Sequence, residues 1–237
     1  MEVKDYISQV AIDCAIFGYE DGQLKILVAK INFKGDFYAL PKGFVFQDED
    51  IDAAAQRILA DRTGITNIYL EQFKVFGNAN RSGKAFMDEL IERNYQDAII
   101  EKKNRIEYQW LTKRFISIGY YALVNIEKVK LQLTNVYESL EWYNIHELPK
   151  MTMDYNDMCL VALKALQRDI DEKINAFNLL PEKFTIKEVQ DIYETIFEKK
   201  FQRTNFQKKI LDLNVLERLE KKFTGAKNKA PYLYRLK

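Results

Sequence analysis

Apolar residues in this chain keep two rhythms, and each predicts a different kind of element. Val10, Ile12, Cys14 and Ile16 alternate with smaller or polar residues, the period-two pattern of a half-buried strand. Glu20, Asp21 and Gly22 then read as a hairpin turn, with Leu24, Ile26 and Val28 on the returning strand. From Ile51 the rhythm changes. Ile51, Ala54, Ala55, Ile58 and Leu59 fall on one face of a helix, and Gly64 stands where a left-handed cap would end it. Ile68 to Phe76 reads as a further strand, and Phe115 to Val124 is the clearest strand in the chain. Between them residues 81–113 are polar and helix-prone, as an insertion would be. Glu141 to Ile145 predicts a last strand. Asp154 is placed to cap a long helix carrying Met158, Val161, Ala162, Ala165 and Leu166, which Asn178 to Pro181 ends.

After Pro181 the pattern restarts. Thr185 and Glu188 have the spacing of a capping box, and Ile186, Val189, Ile192, Tyr193 and Ile196 follow at helical intervals. A short connection leads to a second helix from Arg203 to Ile210. There Phe206, Ile210 and Leu211 are expected inward, leaving Arg203, Thr204, Asn205, Gln207, Lys208 and Lys209 outward. Val215 to Phe223, a basic loop holding Lys227, Asn228 and Lys229, and Tyr232 to Leu236 read as strand, loop, strand. Two helices followed by such a wing suit a winged helix-turn-helix. Domains are therefore expected over 1–178 and 179–237.

Charge sharpens that division. The whole chain carries a net +1. From Phe184 onward, however, 13 Lys and Arg face 7 Asp and Glu, a net +6 against −5 for the remainder. A basic segment with Lys, Arg, Asn and Gln on one helix face has the side chains that contact phosphates and base edges. The alternative is a small helical oligomerisation domain with a solvated basic face.

With 237 residues, 47% hydrophobic, the chain can bury a substantial core. No apolar run approaches membrane-spanning length and the N-terminus is unlike a signal peptide, so a cytoplasmic protein is expected. Cys14 and Cys159 lie in apolar patterns as core thiols. The single His146 leaves no multi-histidine zinc site.

The stretch from Gly43 to Ile65 resembles a Nudix box, G-x5-E-x7-R-E-U-x-E-E-x-G-U with U aliphatic. Gly43, Glu49, Arg57, Leu59, Gly64 and Ile65 fall on that pattern. Where the family carries metal-holding glutamates, this chain has Ile58, Asp61 and Arg62. Ile58 offers no ligand and Arg62 places a positive charge where a cation would sit. No catalytic residue, metal or cofactor is expected, and pyrophosphohydrolase activity is the alternative to be excluded.

A degenerate Nudix box followed by a basic winged helix resembles the Nudix-related transcriptional regulators of the NrtR type. The resemblance implies an α/β/α Nudix sandwich with a mixed sheet, then a winged helix. It also implies a homodimer reading a palindromic operator in double-stranded DNA. Family effectors include ADP-ribose and related NAD metabolites in one branch and pentose sugars in another. Loss of the metal carboxylates, with Phe37, Tyr38, Trp110, Tyr120 and Tyr121 available for stacking, suits a small neutral sugar. The chain looks closest to the arabinose-responsive branch, a resemblance that implies L-arabinose as effector, with an ADP-ribose-responsive regulator as the alternative. Expected ligand contacts are Lys42, Glu49, Tyr38 and Tyr120. Expected DNA contacts are Arg203, Thr204, Asn205, Gln207, Lys208 and Lys209 in the recognition helix, with Lys227, Asn228 and Lys229 in the wing.

Overall fold

The computed structural model describes residues 2–64, 66, 68–133, 135–173, 175–222 and 230–237. A mixed sheet forms the centre, with strands β1 (Tyr6–Glu20), β2 (Gln23–Ile31), β3 (Tyr38–Ala39), β4 (Lys42–Phe46), β5 (Leu70–Phe76), β6 (Ile116–Val124) and β7 (Tyr137–Asn144). Their order is β3-β2-β1-β6-β5, with β4 also pairing β1 and β7 pairing β2. β1 and β6 run parallel, and the other pairings are antiparallel.

The two central strands are buried on both faces, so β1 is not the half-buried strand that its alternation suggests. Ala11 to Phe17 are all buried, as expected for a strand covered by helices on each side. On one face lies α1 (Ile51–Thr63), whose Ala54, Ala55, Ile58 and Leu59 join Ile12, Cys14, Ile16 and Tyr120 in one core. Ile51 stands outside that face, 40% exposed. Gly64 closes α1 at φ 71° and donates its N–H to the Ala60 carbonyl, as a residue without Cβ can do readily. Ile65 lies outside the described residues.

The opposite face carries α5 (Tyr155–Lys173). This helix ends earlier than Asn178 would suggest, and a 3-10 turn at Asn175–Leu179 intervenes. The stretch 81–113 folds as α2 (Lys84–Asn94), α3 (Ile99–Lys103) and α4 (Ile106–Leu111), confirming an insertion of helices between β5 and β6.

The C-terminal part holds α6 (Ile186–Phe197), α7 (Arg203–Asp212), and a two-stranded sheet of β8 (Leu216–Lys221) and β9 (Tyr232–Leu236). Thr185 and Glu188 form the expected capping box. The core on the α5 side runs without a break into this part, joining Met158, Leu166 and Ile170 to Val189, Ile192 and Ile196. No helix among the described residues is long and apolar enough to cross a membrane.

Candidate functional site

The Nudix-like loop and helix keep their shape through contacts internal to them. Glu49 accepts from Arg57 at 2.7 and 2.8 Å and from the Phe46 N–H at 3.3 Å. The Arg57 guanidinium holds the Glu49 carboxyl below its ordinary range. Arg57 also donates to the Phe44 carbonyl at 2.9 Å and lies over the Phe46 ring. Glu49 is thus bound to its own loop rather than offered to a ligand.

A divalent cation does not fit here. Ile58 is 2% exposed and packed on the Gly43 backbone, filling the space with methyl groups. Arg62 donates to the Lys42 carbonyl at 3.2 Å and stacks over Tyr137. Asp61 lies 3.7 Å from Arg57. An apolar plug and two guanidinium groups are the wrong donors for a hard cation.

Behind the loop, on the α5 side of the sheet, a small cavity of about 40 Å³ is lined by Asp13, Lys42, Phe44, Arg81, Phe86, Phe115, Ser117 and Tyr155, among others. Asp13 projects from the middle of β1 and is 1% exposed. Neither of its carboxylate oxygens has a partner at full hydrogen-bond geometry among the described residues; Lys42, Ser117 and Arg81, the last at 3.6 Å, stand beside it. Burial pushes the Asp13 carboxyl up, against Lys42, Ser117 and Arg81, which lower it. Burial likewise pushes the Lys42 ammonium down, against Asp13. Arg81 is held from the far side by Asp154 at 3.0 and 3.1 Å. The carboxylate of Asp154 therefore binds this guanidinium at the start of α5. Buried polar groups cost free energy unless partnered. The arrangement offers a buried carboxylate beside two cationic side chains.

Of the four expected ligand contacts, the fold brings one to this cavity. Lys42 lines it. Glu49 is committed to Arg57. Tyr120 points to the opposite face, where its hydroxyl donates to Asp52 at 2.5 Å under α1. Strand alternation decides this, since Asp13 and Tyr120 project from opposite faces of one sheet. Tyr38 packs edge-on against Tyr143, and its carbonyl accepts from the Thr152 N–H at 2.8 Å. Trp110, Phe37 and Tyr121 are core residues as well; the aromatic walls of the cavity are Phe44, Phe86, Phe115 and Tyr155. Sequence reasoning missed Asp13 and Arg81. An acid inside the run Val10 to Phe17 was the available signal for the first; Arg81 gave none within its polar stretch.

The helix expected from Arg203 is α7. Phe206 and Ile210 are buried, while Arg203, Thr204, Asn205, Gln207, Lys208 and Lys209 are exposed. Leu211, expected inward, is 38% exposed at the end of the helix. Phe206 packs on Tyr193 and Phe201, which fixes α7 against α6. The turn between them is tied by Glu194, which accepts from Gln190 at 2.8 Å, Lys200 at 2.7 Å and the Phe201 N–H at 3.0 Å. Arg203 and Gln207 border an open groove completed by Lys187, Pro231 and Tyr232. The expected wing contacts Lys227, Asn228 and Lys229 lie outside the described residues.

Comparison with known proteins agrees with both halves. Residues 176–236 match the family of NrtR DNA-binding winged helix domains. The ADPR responsive transcriptional repressor NtrR of Acinetobacter baylyi is 28% identical over 98% of this chain and 84% of its own length. Shewanella oneidensis NrtR, crystallised in complex with a 27mer DNA, superposes with a TM-score of 0.74 at 21% identity, covering 97% of this chain and 94% of that one. A MutT/nudix family protein from Enterococcus faecalis gives 0.67 at 17% identity, covering 100% and 90%. The Acinetobacter relative is named for ADPR, so these likenesses give no support to an arabinose-responsive branch. The chain thus has the fold of these proteins, a Nudix-fold domain followed by a C-terminal part that matches the NrtR DNA-binding winged helix.

Proposed function

We propose that the protein is a transcriptional repressor that binds operator DNA as a homodimer in the cytoplasm and is released by a small effector. The effector enters the cavity of Asp13, Lys42 and Arg81 in a Nudix domain that performs no hydrolysis. The observation that carries the DNA-binding part is the exposed row of Arg203, Asn205, Gln207 and Lys208 on the second helix of an NrtR-type winged helix. In a dimer, two such helices about one DNA turn apart, ~34 Å, would read a palindrome.

ADP-ribose is the first effector to test, because the Acinetobacter relative is named as responsive to ADPR. A second reading rests on the cavity itself. Its buried carboxylate beside two cations offers both acceptors and donors to a neutral polyol, so a pentose such as L-arabinose is the competing ligand.

Fluorescence anisotropy on the DNA upstream of the protein's own operon, at a stated salt concentration, tests the whole proposal. Repeating the titration with ADP-ribose, L-arabinose and D-xylose separates the effectors. Sequence-selective binding that one of them releases is the expected result. Binding no better than to unrelated DNA would sink the regulator, and magnesium-dependent turnover of ADP-ribose would restore the hydrolase.

A further inference from the structure

The cavity and the winged helix touch the two ends of one helix. At its start, Tyr155 lines the cavity and Asp154, the residue before it, holds Arg81 Nε. Arg81 also approaches Asp13 at 3.6 Å, and its Nη2 meets Met158 Sδ at 3.8 Å, within the first turn of α5. A side chain only 4% exposed therefore bridges the cavity carboxylate on β1 to the beginning of α5. Met153, another cavity residue, holds φ 54°, a left-handed conformation disfavoured for a side chain with Cβ.

About 20 Å further along the axis, at 1.5 Å per residue, Gln167 Nε2 donates to the Ile196 carbonyl at 2.7 Å. Ile196 lies in the last turn of α6, where carbonyls have no partner inside the helix. Gln167 thus caps, from α5, the helix that sets the attitude of the recognition helix. Nearby the Tyr193 hydroxyl reaches the Ile170 carbonyl at 3.5 Å. Between the two ends Met158, Cys159, Ala162 and Leu166 are buried in one core with Val189, Ile192 and Ile196. Packing of this density transmits displacement rather than absorbing it.

We infer that α5 is the coupling element of the protein and that Gln167 is its positioning residue toward the DNA-binding part. Arg81 held by Asp154 defines one setting of α5. A ligand that draws Arg81 toward Asp13 loosens the first turn, and Gln167 carries the change to the end of α6. The effector rests on the function proposed above; the mechanical link does not.

Hydrogen exchange on the full chain, without ligand or DNA, tests the link directly. Arg81→Gln removes the charge that holds Asp154. The last turn of α6 is expected to exchange several-fold faster, while α1, on the opposite face of the sheet, keeps its protection. Gln167→Ala is expected to expose the same turn, and adding Arg81→Gln to it to change little more. Unchanged α6 exchange in Arg81→Gln, or independent effects in the double variant, would overturn the inference. Should Arg81→Gln lose its fold, Arg81→Lys keeps the charge and is expected to give a smaller change at the same turn; no change there has the same overturning force. Absence of operator binding by the unmodified protein would remove the proposed function and leave the exchange result standing.

Discussion

Ile58 lies directly over Gly43: a methyl group on the glycine would meet its Cγ1 and Cδ1 at 2.6 Å. This contact joins the loop of the Nudix-like motif to its helix, and it occupies the space where the motif's carboxylates would gather. Gly43→Ala is expected to destabilise the protein by about 1–3 kcal/mol through overpacking. Ile58→Ala alone should cost about 2–5 kcal/mol, but less in the Gly43→Ala background, because the clash is gone. Urea unfolding of the two single variants and the double measures the difference. Strict additivity would mean that the two residues do not share the strain.

Rebuilding the metal site runs against the same packing. Ile58→Glu would place a carboxylate in the core with Ala55 and Leu59 and is expected to cost about 3 kcal/mol or more. Magnesium should recover part of that loss only when Arg62→Glu is added. Thermal melts with and without the cation read the outcome.

In the recognition helix, reading and positioning should separate by side chain. Gln207→Ala is expected to cost about 1–3 kcal/mol on the operator and to relax preference at the base it contacts. Lys208→Ala should weaken binding evenly across sequences and reduce the salt slope by about 1. Anisotropy at several salt concentrations on matched and scrambled sites distinguishes the two.

Glu194 gives the winged helix an acid limit. The hydrogen bond from Lys200, with those from the Phe201 N–H and Gln190, holds its carboxyl down to about 2, below an ordinary 4.5. A depressed carboxylate contributes its stability above the unfolded value and loses it as pH falls through the folded one. Melting of the C-terminal part is therefore expected to fall between pH 4.5 and 2. Glu194→Gln should be less stable at neutral pH and lack that dependence, as followed by circular dichroism.

Cys14 and Cys159 are fully buried, and burial pushes both thiols up to about 12. Neither should react with an aromatic disulfide reagent at neutral pH in the folded protein, since the thiolate is the reactive form. Both should titrate at once in denaturant. Rapid labelling without denaturant would show that the sheet opens locally.

Local periodicity and local chemistry were enough for the parts of this protein that depend on neighbours in the chain. The α1 face, its Gly64 cap, the capping box of Thr185 and Glu188, and the outward row from Arg203 to Lys209 all follow from spacings of a few residues, which the linear chain displays. The loss of the metal carboxylates was equally legible, because a motif is a spacing. The cavity was not. Asp13, Lys42, Arg81 and Tyr155 come from β1, β4, the loop before α2 and α5, and only the packing of helices on one face of the sheet brings them together. Which face a side chain takes also lies beyond composition. Nothing in the sequence around Tyr120 marks its face, yet the parallel pairing of β1 with β6 turns it toward α1 and leaves Asp13 toward α5. Long-range pairing and burial decide such positions, and they cost a buried carboxylate its water before any ligand can replace it.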